Sequence, residues 1–122
     1  MAIKLAIVGY RGFNNFRRFV FIIDYLHSIY GILNDVCQIV SGGAEGVDLM
    51  AEKFADERGY DKKIFYPKYD VYSQKVAPLM RNTEIAETCD IMIAFKSEYS
   101  RGTLDAIKKA TKLGKPVYIV CI

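Results

Sequence analysis

The chain is poor in the features that mark specialised protein classes. It has three cysteines, Cys37, Cys89 and Cys121, an odd number at wide spacing with no CxxC pair. A disulfide framework and a zinc site of the usual spacing are thereby excluded. The expectation is small buried thiols in a reducing cytoplasm. Three prolines and nine glycines in 122 residues exclude collagen-like and low-complexity chains. Charged residues interrupt every apolar stretch before it reaches 18 residues, and no signal peptide is recognisable, so no membrane partner is expected. The only histidine, His27, falls among aromatics in a helical stretch, where packing is its expected role. No serine or cysteine stands in a nucleophile motif, so no catalytic residue is assigned. No metal site and no cofactor are implied.

What is present is ordinary globular composition, 52% hydrophobic and 25% charged, in a length that suits one domain over residues 1–122. The charge is uneven. Residues 1–61 hold six Lys/Arg against eight Asp/Glu, and residues 62–122 hold eleven against six. A mildly basic second half favours an anionic ligand. The net +3 falls short of a dedicated nucleic-acid binder, so nucleic acid is not expected as a partner.

Apolar runs alternate with helical periodicity. Strands are predicted at Ile3–Val8, Cys37–Val40, Lys63–Tyr66, Asp90–Phe95 and Val117–Cys121. Helices are predicted at Phe16–Tyr30, Val47–Arg58, a segment with the apolar stripe Val76, Leu79, Met80, Thr83 and Ala86, and Gly102–Leu113. Gly31, Gly59 and Gly114 supply stops after three of them. Strands separated by helices cannot form hairpins, so the sheet is predicted to be mostly parallel with right-handed crossovers. The expected fold is a Rossmann-like three-layer α/β sandwich with a five-stranded sheet in the order 3-2-1-4-5. The first helix is apolar nearly all round: Phe21, Ile22, Tyr25 and Ile29 lie outside the stripe of Phe16, Phe19, Val20, Ile23, Leu26 and Tyr30. Such a helix needs covering on two sides, and a second copy of the chain is the expected cover.

In open parallel sheets, ligands bind beyond the carboxyl ends of the strands, where the strand order reverses. The turns there carry the notable residues. Gly9-Tyr10-Arg11 follows the first strand and brings a guanidinium suited to phosphate or carboxylate. Ser41-Gly42-Gly43-Ala44-Glu45-Gly46-Val47-Asp48 follows the second and runs into a helix, where successive backbone N–H groups suit phosphate. The same glycines also serve a plain tight turn. Asp48, in the first helical turn, either caps backbone N–H groups or binds a ribose hydroxyl, and capping is the reading adopted. Arg81 and Asn82 flank the predicted apolar stripe and read as a solvated helix edge. Ser100-Arg101-Gly102-Thr103 opens the last helix as a second loop of the anion-binding kind. Strands 2 and 4 flank strand 1 in the expected order, so both loops should face one crevice. Tyr66, Tyr69 and Tyr72 either stack on a base or pack as a lid.

Taken together, Gly9-Tyr10-Arg11, Ser41-Gly42-Gly43-Ala44-x-Gly46-x-Asp48, Arg81-Asn82, Ile93-Ala94-Phe95 and Ser100-Arg101-Gly102-Thr103 resemble the SLOG superfamily, and within it the small stand-alone YspA-like branch. The likeness runs from Ile3 to Val120. It implies a Rossmann-like domain binding a nucleotide or nucleotide-derived ligand. The superfamily also includes the Lonely Guy phosphoribohydrolases, the DNA-processing protein DprA, and sensors of nucleotide signals in prokaryotic conflict systems. The family's phosphate loop falls on Gly42, Gly43 and Gly46, its second phosphate turn on Ser100, Gly102 and Thr103, and its arginine-asparagine pair on Arg81 and Asn82. The chain departs from the pattern in four places. Ala106 replaces the phosphoribohydrolase glutamate, with Asp105 one step earlier. The first glycine of the GGxGT turn is replaced, Glu45 stands at an often basic position, and Lys96 at an often aromatic one.

The expected function is binding, by sensing or sequestration, of a nucleotide-derived signalling molecule. The alternative is a nucleoside 5′-monophosphate phosphoribohydrolase-like hydrolase, with Asp48, Glu45, Glu98 and Asp105 as the candidate carboxylates. A single-stranded nucleic-acid binder ranks third.

Overall fold

The computed structural model describes residues 2–122. Five strands and four helices alternate: β1 (Ile3–Gly9), α1 (Phe16–Tyr30), β2 (Val36–Ser41), α2 (Val47–Arg58), β3 (Asp61–Ile64), α3 (Val76–Thr88), β4 (Ile91–Lys96), α4 (Arg101–Lys112) and β5 (Val117–Cys121). The strand order is β3-β2-β1-β4-β5, and every pairing is parallel. This is the expected three-layer α/β fold.

The central strands are buried on both faces, which is why they read as unbroken apolar runs. Alternate residues serve opposite layers. Leu5 and Ile7 of β1 pack with Phe19 and Ile23 of α1 and with Val47, Ala51 and Phe54 of α2. Ala6 and Val8 pack with Ile85 and Ala86 of α3 and with Ala106, Ile107 and Ala110 of α4. On the first layer Phe19 stacks on Phe95 at 5.1 Å and meets Phe54 edge-on at 6.1 Å. These contacts anchor the carboxyl end of β4, next to the functional loops.

Helix ends follow local chemistry. Asn15 caps α1 by accepting from the Arg18 N–H at 3.0 Å, and Gly31, at φ 65°, closes it with an N–H to the His27 carbonyl. His27 has a structural bond of its own: its Nδ1 accepts the Leu33 N–H at 3.1 Å. Pro78 falls in the first turn of α3, where no helical N–H is lost.

Several expectations need correction. β3 covers Asp61–Ile64, two residues before the predicted Lys63–Tyr66. It pairs on one side only, with Gln38–Ser41, so exposed Asp61, Lys62 and Lys63 are tolerated and blunt the open edge. The buried face of α3 is Ala77, Asn82, Ile85 and Ala86, while Val76 and Leu79 are exposed. Packing against β1, β2 and α4 selects this face, with Ile85 fully buried among smaller neighbours. Only Cys89 is buried. Cys37 is the second residue of β2 and Cys121 lies on edge strand β5, and both are exposed. No described helix is long and apolar enough to cross a membrane.

Candidate functional site

The carboxyl ends of β1, β2 and β4 open into one cleft of about 480 Å³. Gly9, Tyr10 and Arg11 reach it from β1, Gly42, Gly43 and Ala44 from β2, Arg81 and Asn82 from α3, and Gly102 and Thr103 from α4. Gly43 and Gly102, placed far apart in the chain, line the same space because β2 and β4 flank β1. The β1 and β4 ends are tightly apposed there. A Cβ on Gly9 would fall 2.6 Å from the Phe95 carbonyl oxygen, and the Tyr10 N–H donates to that same oxygen at 2.9 Å.

Arg81 and Asn82 are a brace between the two loops. The Arg81 Nη1 donates to the Gly42 carbonyl, and its Nε donates to the Asn82 Oδ1 at 3.0 Å. The Asn82 Nδ2 donates to the Gly102 carbonyl and to Asp105 Oδ2, both at 3.1 Å. Asp105 is in turn paired with Lys109 at 3.0 Å. Asn82 is 5% exposed, so the solvated edge expected for this pair is replaced by a polar link buried between layers. Such a buried group is tolerated because its bonds are satisfied.

Asp48 does not cap its helix. Its Oδ2 accepts the Ala44 N–H at 3.3 Å, so the carboxylate braces the glycine loop from within. The other oxygen, Oδ1, is buried without a hydrogen-bond partner. Burial pushes the Asp48 carboxyl up to about 6, and the Arg81 guanidinium is the chief opposing influence. The nearby Ser41 hydroxyl eases the charge only slightly, since it donates to the Ile7 carbonyl at 2.6 Å. For Arg81, burial lowers the pKa, Asp48 and Tyr69 oppose that, and the like charge of Arg11 adds to it. Two guanidinium groups therefore share this cleft with one carboxyl.

Four predicted residues do not line the cleft. Ser41 lies buried beneath its floor. Gly46, at φ 73°, packs against the backbone of Tyr10 and Arg11 and locks the β2 loop to the β1 turn. Ser100 turns inward and accepts the Ser97 N–H at 3.0 Å. Arg101 is exposed at the start of α4. Of the candidate carboxylates, Glu45 and Glu98 are exposed and Asp105 is held by Asn82 and Lys109. Only Asp48 among these four lines the cleft. Sequence reasoning did not assign Val8, Pro67, Tyr69, Pro78 and Ala106 to the site, all of which line it. The tyrosine cluster was the one signal that pointed there.

No protein-family model matches the chain. No curated protein matches it either. Among solved structures it is similar to the X-ray structure of TM1055, a Northeast Structural Genomics Consortium target, with a TM-score of 0.67 and 21% identity over 96% of this chain and 72% of that one. The fold is Rossmann-like. At that identity the likeness speaks for architecture alone. Among the described residues no group of three or more His, Cys, Asp or Glu side chains is gathered as a metal centre would require.

Proposed function

We propose that the protein binds a nucleotide or nucleotide-derived signalling molecule in the cleft, and so senses or sequesters it. The observation that carries this reading is the convergence of the Gly42–Ala44 loop and the Gly102–Thr103 turn on one space that also holds Arg11 and Arg81. Backbone N–H groups at helix starts and guanidinium forks are complementary to phosphate oxygens. The volume lies in the range of small-ligand sites. The SLOG resemblance and its sensor role in conflict systems rest on the same loops and belong to this proposal, as does a cytoplasmic location.

Isothermal titration with a panel of linear and cyclic nucleotides tests it. Binding in the micromolar to low millimolar range is expected, and no binding by any member rejects it. Arg11→Ala removes an exposed guanidinium that makes no ion pair among the described residues. It should weaken nucleotide affinity about tenfold, the scale of one charge-assisted contact, with an unchanged melting temperature.

A hydrolytic reading is favoured by one observation, the buried Asp48 carboxyl in the cleft wall. Incubation with nucleoside monophosphates and chromatography for free base decides it, and Asp48→Asn should then abolish release.

We also propose self-association through α1. Phe21 and Tyr25 are 68% and 56% exposed and stack on each other, and Ile29 and Tyr30 extend the strip. Tyr30 meets Tyr118 at 5.1 Å and so joins the strip to the open edge strand β5. Light scattering is expected to show a dimer or larger species that Phe21→Glu with Tyr25→Glu converts to monomer. A monomeric parent protein rejects this.

A further inference from the structure

The cleft wall is divided by chemistry. Its charged part comes from the β1 turn, the β2 loop and Arg81. Its apolar part includes Pro67 and Tyr69, from the segment between β3 and α3, and Pro78, from the first turn of α3. The two parts adjoin, because Pro78 and Arg81 are three residues apart on one helix and so share a face. An anionic group at Arg81 therefore places whatever is attached to it beside Pro78 and Tyr69.

Tyr69 is 58% exposed, and its ring has no aromatic partner among the described residues. Its neighbour Tyr66 is committed elsewhere: a Cβ on Gly43 would fall 2.5 Å from the Tyr66 ring, so that ring packs on the glycine loop. The segment carrying Tyr69 is held in shape. The Val71 and Tyr72 N–H groups donate to the Lys68 carbonyl at 3.1 and 2.9 Å, and Lys68 pairs with Glu84 of α3 at 3.5 Å. An exposed ring on a turn tied to the helix that bears the guanidinium is preorganised for a flat partner.

We propose that Tyr69 is the specificity-determining residue of the cleft, stacking on a planar aromatic ring. The ligand class is then an anion joined to a heteroaromatic base, and sugar phosphates and inorganic polyphosphates are poor ligands. This rests on the nucleotide-binding reading above and names the residue that holds the base. Tyr72 and the exposed Val71 do not line the cleft, so the stacking role falls to Tyr69 alone of the later tyrosines.

The test uses probes that differ only in the base. AMP, UMP and ribose 5-phosphate are titrated into the unaltered protein, Tyr69→Ala and Tyr69→Phe. At least one nucleotide is expected to bind about tenfold or more tightly than ribose 5-phosphate, the scale of one base–aromatic stack. Tyr69→Ala should cut that preference below about threefold without changing ribose 5-phosphate affinity, and Tyr69→Phe should restore it. Arg11→Ala should weaken all three probes alike. Equal affinity of the unaltered protein for all three probes overturns the stacking role and leaves the anion site standing. A preference that survives Tyr69→Ala overturns it too. Failure of every probe to bind removes the anion-binding reading and this proposal with it.

Discussion

Asp48→Asn is expected to stabilise the protein by about 3 kcal/mol at pH 8 and to leave it nearly unchanged at pH 4. Burial pushes the Asp48 carboxyl up to about 6 in the folded chain, from an ordinary value of 3.8. A raised acid pKa means that the folded state prefers the proton. The favourable contribution is complete below about pH 3.8 and is lost as pH rises through about 6, so the ionised form weighs against folding at neutral and alkaline pH. About two pH units of displacement correspond to about 3 kcal/mol. The asparagine oxygen can still accept from Ala44, and its amide puts no charge in the buried position. Denaturant unfolding at pH 4, 6 and 8 checks this. A variant that is less stable than the parent at pH 8 would show that the attraction of the Arg81 charge for Asp48 outweighs its desolvation.

Retaining such a carboxyl has a physical consequence for the cleft. Asp48 occupies the Ala44 N–H from inside, and its charge offsets one of the two guanidinium groups. The unfavourable group sits at the glycine loop, in keeping with the tendency for strain and desolvation to collect at functional sites.

The second large effect is at Gly46. Gly46→Ala should cost about 2–6 kcal/mol in denaturant unfolding and abolish nucleotide binding. Its backbone, at φ 73° and ψ −123°, lies outside the regions open to residues with a Cβ, and forcing alanine there costs about 1–3 kcal/mol. The added Cβ would also collide with the Arg11 carbonyl oxygen and fall 2.6 Å from that of Tyr10. These are backbone atoms, so the β1 turn would have to move away from the β2 loop, at about 1–3 kcal/mol more. Gly102→Ala is the contrast. Nothing lies within 4 Å of its added Cβ, so its stability should change by no more than about 1 kcal/mol. Unfolding midpoints of the two variants should differ widely. Equal midpoints would mean that the β1 turn yields easily and that Gly46 does not lock the loops.

What could be read from residues and what could not divides along the range of the forces involved. The alternation of elements, the strand order and the two glycine-bearing loops were legible because buried strands, helix stops and tight turns leave local patterns. Ile3–Val8, Gly31 and Ser41–Gly46 each declare themselves within a few positions. The orientation of α3 was not legible. Val76 and Leu79 are exposed, and Ala77, Asn82 and Ile85 face inward. Contacts with two strands and a helix select that face, which periodicity cannot register. The same rotation turned Arg81 and Asn82 from a supposed solvated edge into the brace between loops. Likewise β3 begins earlier than its apolar residues indicate, because an edge strand is defined by its pairing with β2 rather than by burial.

The sequence by itself determined that the chain forms a parallel α/β sheet with two loops of anion-binding composition, since each needs only neighbours in the chain. Only the tertiary structure decided that Arg81 and Asn82 join the loops, and that Tyr69 and two prolines complete the wall of the cleft. Those relations depend on how each helix is rotated and where each connecting segment lies, and side chains far apart in the chain settle both by filling the same volume.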